Sequence, residues 1–103
     1  MQPYKTESLN VLLRAMAAMD TPEDCGAFLE DLCTIKELQD MAQRFETAIL
    51  LDQGKNYQEI VARVGTSTAT ISRVSRCLNY GSGGYKAAIA GLEKWEAKHG
   101  NQG

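Results

Sequence analysis

Helix start and stop signals recur along the whole sequence and leave little room for any other secondary structure. Thr21-Pro22 and Thr34-Ile35-Lys36-Glu37 have the form of helix N-terminal caps, in which a threonine oxygen accepts from a free backbone N–H. Asn56-Tyr57-Gln58-Glu59 repeats this pattern, and Gly65 suits the end of the helix that follows. No segment alternates between polar and apolar residues as a half-buried strand does. The sequence therefore predicts an all-α fold.

Apolar residues recur every three or four positions between these signals and predict six helices. Their approximate ranges are residues 7–20, 22–33, 34–54, 56–65, 66–79 and 85–98, and the second helix is expected to bury Phe28, Leu29 and Leu32. The 103 residues are enough for a single domain spanning 1–103. A folded chain of this size buries only about two-thirds of its unfolded surface, so a second subunit would add to its core.

The short fourth and fifth helices flank Gly65 and have the outline of a helix-turn-helix at about residues 57–78. Apolar residues occupy the positions that would hold the two helices together: Ile60, Val64, Ile71 and Val74. At 100° per residue, the opposite face of the fifth helix carries Ala69, Ser72, Arg73 and Arg76.

The start of the fifth helix is rich in small and hydroxyl side chains, which allow a helix end to come close to base edges and phosphates. Residues 55–79 have a local net charge of +3, within a chain whose net charge is −2. This combination predicts double-stranded DNA as the partner. The predicted DNA-binding residues are Tyr57, Ser67, Thr68, Ala69, Thr70, Ser72, Arg73 and Arg76. Taken singly, the hydroxyl residues are also typical of helix caps, and the arginines of a solvated face.

Two segments, FLEDLCTIKELQDMAQRFETAILLDQGKNYQEI and TSTATISRVSRCLNYG, give the chain a recognisable pattern. Over about residues 8 to 95 it resembles the YerC/YecD-type group of the Trp repressor superfamily. The resemblance implies a six-helix, Trp-repressor-like domain in an intertwined homodimer. The first three helices and the last would build the dimer, and the fourth and fifth would bind operator DNA. The implied function is a sequence-specific transcriptional regulator.

The same resemblance implies a candidate effector site. Thr34, Arg44 and Arg73 match the threonine and two arginines with which the Trp repressor holds L-tryptophan. Val74 stands where the Trp repressor has a glycine, and its side chain would occupy volume that an indole ring needs. We therefore expect either no effector or one other than tryptophan. Arg44 has an alternative role, an ion pair with Asp40 one turn earlier.

Other residue types give no sign of catalysis or of a metal. Cys25, Cys33 and Cys77 lack the spacing of a zinc site or a disulfide framework, and the one histidine, His99, lies near the C-terminus. We expect no enzyme activity, metal or cofactor.

The sequence shows no signal peptide or membrane span, which predicts a cytoplasmic protein. The alternative function is a dimeric ligand-sensing or protein-interaction module without specific DNA binding. Tyr80 and Tyr85 are expected to pack the Gly81-Ser82-Gly83-Gly84 break against the body.

Overall fold

The computed structural model describes residues 6–100, which form six α-helices and no strand. The helices are α1 Glu7–Ala17, α2 Pro22–Leu32, α3 Ile35–Asp52, α4 Tyr57–Val64, α5 Thr68–Tyr80 and α6 Gly84–His99. The predicted all-α, six-helix fold is confirmed. The largest difference lies at the end of α1, which stops at Ala17 where the sequence pattern extends to Asp20.

Helix starts follow from hydrogen bonds between neighbouring residues. The Thr34 side chain accepts from the Glu37 N–H at 3.0 Å, and the Glu37 carboxylate accepts from the Thr34 N–H at 2.8 Å. Asn56 and Glu59 make the same reciprocal pair at the start of α4, at 2.9 and 3.1 Å. Each pair satisfies two N–H groups that a helix end leaves free, which fixes where α3 and α4 begin.

The chain divides into two compact units, one up to Leu38 and one from Gln39 onward. In the first unit neither α1 nor α2 contains a buried residue. The sequence pattern predicts that Leu32 is buried, but its side chain is 50% exposed, while Phe28 and Leu29 are half-buried. Apolar helix faces that remain this open have gained little of the stabilisation that burial gives.

The second unit has two apolar clusters, and α5 contributes to both. The α4–α5 core consists of Leu50, Ile60 and Ile71, with Leu51 and Val64 packed against it. The α5–α6 core, whose buried residues come from α3, α5 and α6, consists of Ala48, Val74, Leu78 and Ile89. Both clusters also include a side chain of α3, Ala48 in one and Leu50 in the other, so α3 packs in each of them beside α5.

None of the helices within residues 6–100 combines the length and apolar character that crossing a bilayer requires. The assignment of residues 1–103 to one domain stays a prediction.

Candidate nucleic-acid interface

The turn between α4 and α5 depends on the backbone conformation of Gly65. This residue caps α4 with φ 79° and ψ 22°, and its N–H donates to the Val61 carbonyl at 3.0 Å. Residues with a side chain rarely adopt this left-handed conformation. A Cβ placed on Gly65 would meet no atom within 4 Å, so the requirement for glycine comes from the backbone angle and not from crowding.

The inner face of the turn is held by apolar side chains from both helices. Ile60 of α4 and Ile71 of α5 are each 0% exposed, and they pack with Leu50 of α3. Val64 is half-buried beside them. Two helices separated by a glycine turn therefore lie where the sequence predicts the helix-turn-helix, and α4 and α5 are joined through the α4–α5 core.

Val74 has a different partner from the one the sequence pattern indicates. It is only 1% exposed, as expected of a core position, but it packs in the α5–α6 core and not with Ile60 and Ile71. The reason is its place one turn after Ile71, where α5 faces Ala48 and Ile89. Val74 thus fixes α5 against α3 and α6 by apolar packing.

Two of the predicted hydroxyl residues form the cap of α5. The Ser67 side chain accepts from the Thr70 N–H at 3.2 Å, and its hydroxyl donates to the Thr70 hydroxyl at 3.1 Å. The Thr70 hydroxyl keeps its own proton for an outside acceptor. Thr68 and Ala69 are exposed in the first turn of α5. The end of α5 therefore presents small side chains and free backbone N–H groups, which favour a nearby anion.

The outward face of α5 carries the remaining predicted residues. Ser72, Arg73 and Arg76 are exposed, on the side of the helix opposite Ile71 and Val74. Neither arginine is in an ion pair within residues 6–100. The one acid between residues 55 and 79, Glu59, uses a carboxylate oxygen in the cap of α4. Nothing in this segment therefore neutralises the positive charge of α5.

The other candidate residues occupy separate positions. Tyr57 is exposed as the first residue of α4. Thr34 caps α3, and Arg44 is half-buried in the middle of that helix. Within residues 6–100 the Arg44 side chain makes no ion pair, so the alternative pairing with Asp40 is not formed. The effector-binding role of Thr34, Arg44 and Arg73 stays a prediction.

Tyr80 differs most from expectation. The sequence predicts that it packs against the body of the domain, whereas its side chain is 86% exposed. Tyr85, given the same role, is half-buried and packs against the α5–α6 core. Tyr80 follows Arg73 and Arg76 at helical spacing, and this signal could have assigned it to the outward face.

The junction of α5 and α6 contains an open cavity of about 380 Å³. It is lined by Cys77, Gly81, Ser82, Gly84 and Tyr85. Within residues 6–100, no group of three or more His, Cys, Asp or Glu side chains could hold a metal ion.

Comparisons with known proteins agree with this architecture. The family described as Trp repressor protein matches residues 7–93. The uncharacterized protein YerC of Bacillus subtilis (strain 168) is 42% identical over 92 residues, which cover 89% of this chain and 88% of that protein.

Two solved structures are also similar. A crystal structure of a candidate Trp repressor from Staphylococcus aureus has a TM-score of 0.84 and 36% identity, over 90% of this chain and 95% of that one. A TrpR-like protein from Eubacterium eligens ATCC 27750 has a TM-score of 0.82 and 40% identity, over 86% and 92% of the two chains.

Proposed function

This chain belongs to the Trp repressor family, and on that premise we propose that it is a sequence-specific DNA-binding regulator of transcription. It acts as a homodimer in the cytoplasm and reads DNA through α4 and α5. Proteins of this family are regulatory DNA-binding proteins and not enzymes.

The observation that carries the proposal is the division of α5 into two opposed faces. Ile71, Val74 and Leu78 are buried, and Arg73 and Arg76 on the other side are exposed and free of ion pairs within residues 6–100. A helix fastened along one face and positively charged along the other is suited to the major groove, where arginine binds phosphates or guanine edges. The small residues at its N-terminus allow close approach.

The exposed apolar surface of the first unit supports a homodimer. Large apolar side chains are open to solvent on α1, on α2 and at the first residue of α3: Val11, Leu13, Met16, Leu32 and Ile35. Ile35 is 76% exposed, which is unusual for a residue that is most often buried. A second copy of the chain that covers this surface would complete the core. The proposed function then requires the two α5 helices of the dimer to lie about 34 Å apart, one turn of DNA.

The packing of Val74 supports DNA binding that does not require tryptophan. An effector is needed when it holds the recognition helix in position, and here the α5–α6 core already fastens α5. We therefore propose that the free protein is competent to bind its operator.

Selection of bound sequences from a random pool of duplexes tests this proposal. We expect a two-fold symmetric sequence to be enriched, with half-sites about one helical turn apart and with affinity that falls steeply as salt rises. The same sequence should be enriched without any amino acid present. Failure to enrich any sequence at low salt would contradict the proposal.

The second candidate function is ligand sensing, and the cavity between α5 and α6 favours it. Its volume of about 380 Å³ is within the usual range for small-molecule sites. Thermal denaturation with a panel of amino acids separates the two functions. A higher melting temperature with one amino acid, together with no enriched sequence, would favour the sensor.

A further inference from the structure

The surface of α5 extends beyond the two arginines to an uncovered aromatic side chain. Tyr80 is the last residue of α5, and its side chain is 86% exposed. Its hydroxyl makes no hydrogen bond within residues 6–100. A tyrosine whose ring is uncovered and whose hydroxyl is unused within these residues is open to a partner, and tyrosine is enriched at interfaces because it combines an apolar ring with a polar hydroxyl.

The position of Tyr80 on the helix aligns it with the proposed DNA-binding face. Arg73 precedes it by seven residues, or about two turns of helix. The two residues are therefore about 10.5 Å apart along the helix axis, and their directions around the axis differ by only about 20°. Arg76 lies between them on the same side. This row is opposite the buried residues of α5, so it faces away from the domain along the length of the helix.

The end of α5 holds Tyr80 in a defined place. The Gly81 N–H donates to the Cys77 carbonyl at 2.9 Å and closes the last turn. A Cβ on Gly81 would collide with that same carbonyl oxygen, so only glycine lets the chain follow this path directly after Tyr80. The ring is therefore attached to an ordered helix end and not to a free loop.

The distance from the N-terminus of α5 indicates which part of the DNA lies near Tyr80. Thr68 and Tyr80 are twelve residues apart, or about 18 Å along the helix axis. The major groove is only about 8.5 Å deep. If the small residues at Thr68 enter the groove, Tyr80 lies outside it, so the part of the duplex nearest to its side chain is the phosphates along the rim and not the base edges.

We infer that Tyr80 is a further DNA-contacting residue, whose phenolic hydroxyl donates a hydrogen bond to a phosphate oxygen at the edge of the groove that α5 enters. The inference rests on the proposed function. Tyrosine is among the side chains that donate to phosphates in protein–DNA complexes. A phosphate contact carries no sequence information, so Tyr80 adds affinity and register rather than choice of base.

The test compares full-length Tyr80→Phe with the unchanged protein and with Tyr85→Phe, a matched control that removes a hydroxyl on the other side of the break. Binding is measured by fluorescence anisotropy on the duplex selected from the random pool and on a scrambled duplex of the same composition. We expect Tyr80→Phe to bind both duplexes about fivefold to tenfold more weakly, and Tyr85→Phe to bind them normally. The salt dependence should not change, because the hydroxyl is uncharged, whereas Arg76→Ala should reduce its slope by about one.

Three results would overturn the inference while leaving the proposed function in place. The first is that Tyr80→Phe binds both duplexes as tightly as the unchanged protein, while Arg73→Ala binds them more weakly. The second is a loss confined to the selected duplex, which would mean that Tyr80 reads a base. The third is a change in molecular mass for Tyr80→Ala by light scattering, which would place the ring in an interface between subunits. If the unchanged protein binds neither duplex, the proposed function itself is wrong.

Discussion

Arg73 and Arg76 can contribute to DNA binding without contributing to folding, because both are exposed and neither is in an ion pair within residues 6–100. We expect Arg73→Ala to weaken binding and to lower the slope of its salt dependence by about one. The free energy of unfolding should change by less than about 0.5 kcal/mol. Lys94→Ala, which removes a positive charge from an exposed position of α6, is the control and should bind normally. Loss of binding together with unfolding would assign Arg73 a structural role instead.

Val74, unlike the two arginines, contributes to folding and not to DNA binding, because its side chain is only 1% exposed. Truncation to alanine removes two methyl groups from the α5–α6 core and should lower the free energy of unfolding by about 2 kcal/mol. Val61→Ala makes the same chemical change on α4 at a position that is 38% exposed, and it should cost much less. Urea denaturation of the two variants measures the difference. Equal losses would mean that Val74 does not fasten α5.

The turn between α4 and α5 depends on the left-handed conformation of Gly65. Gly65→Ala should lower the free energy of unfolding by about 1 to 2 kcal/mol, because a side chain at φ 79° is strained even though space is available. Gly91→Ala is the control, since this exposed glycine lies inside α6, where a Cβ meets no atom within 4 Å. It should be neutral or stabilise by up to about 1 kcal/mol. A Gly65→Ala protein as stable as the unchanged one would contradict this role of the turn.

The elements also show which features a sequence can predict. The caps at Thr34, Asn56 and Ser67 involve residues three positions apart, and their local pattern predicted the helix starts. The opposed faces of α5 follow from its periodicity in the same way. Leu32 and Tyr80 were mispredicted because an apolar or aromatic residue indicates that a surface will be covered, but not which molecule covers it.

The proposed dimer depends on the exposed apolar residues of the first unit. Ile35→Glu places a charge on a residue that is 76% exposed in one subunit, so it should leave the helices intact and weaken dimerisation. We expect half the mass by light scattering and weaker operator binding, because one recognition helix contacts only one half-site. Val61→Glu places the same charge on α4 and is the control for the light-scattering measurement only. It should have the mass of the unchanged protein. A dimer that tolerates Ile35→Glu would place the interface elsewhere.

We propose that the outward face of α5, whose opposite face packs in two apolar clusters, is the surface that contacts DNA. Amide chemical shifts of isotope-labelled protein, followed during titration with the selected duplex at low salt, test it most directly. We expect the largest changes between Ser67 and Arg76, with smaller changes at the start of α4 and none along α1. Changes concentrated on α1 and α2, with α5 unaffected while the duplex is bound, would contradict it.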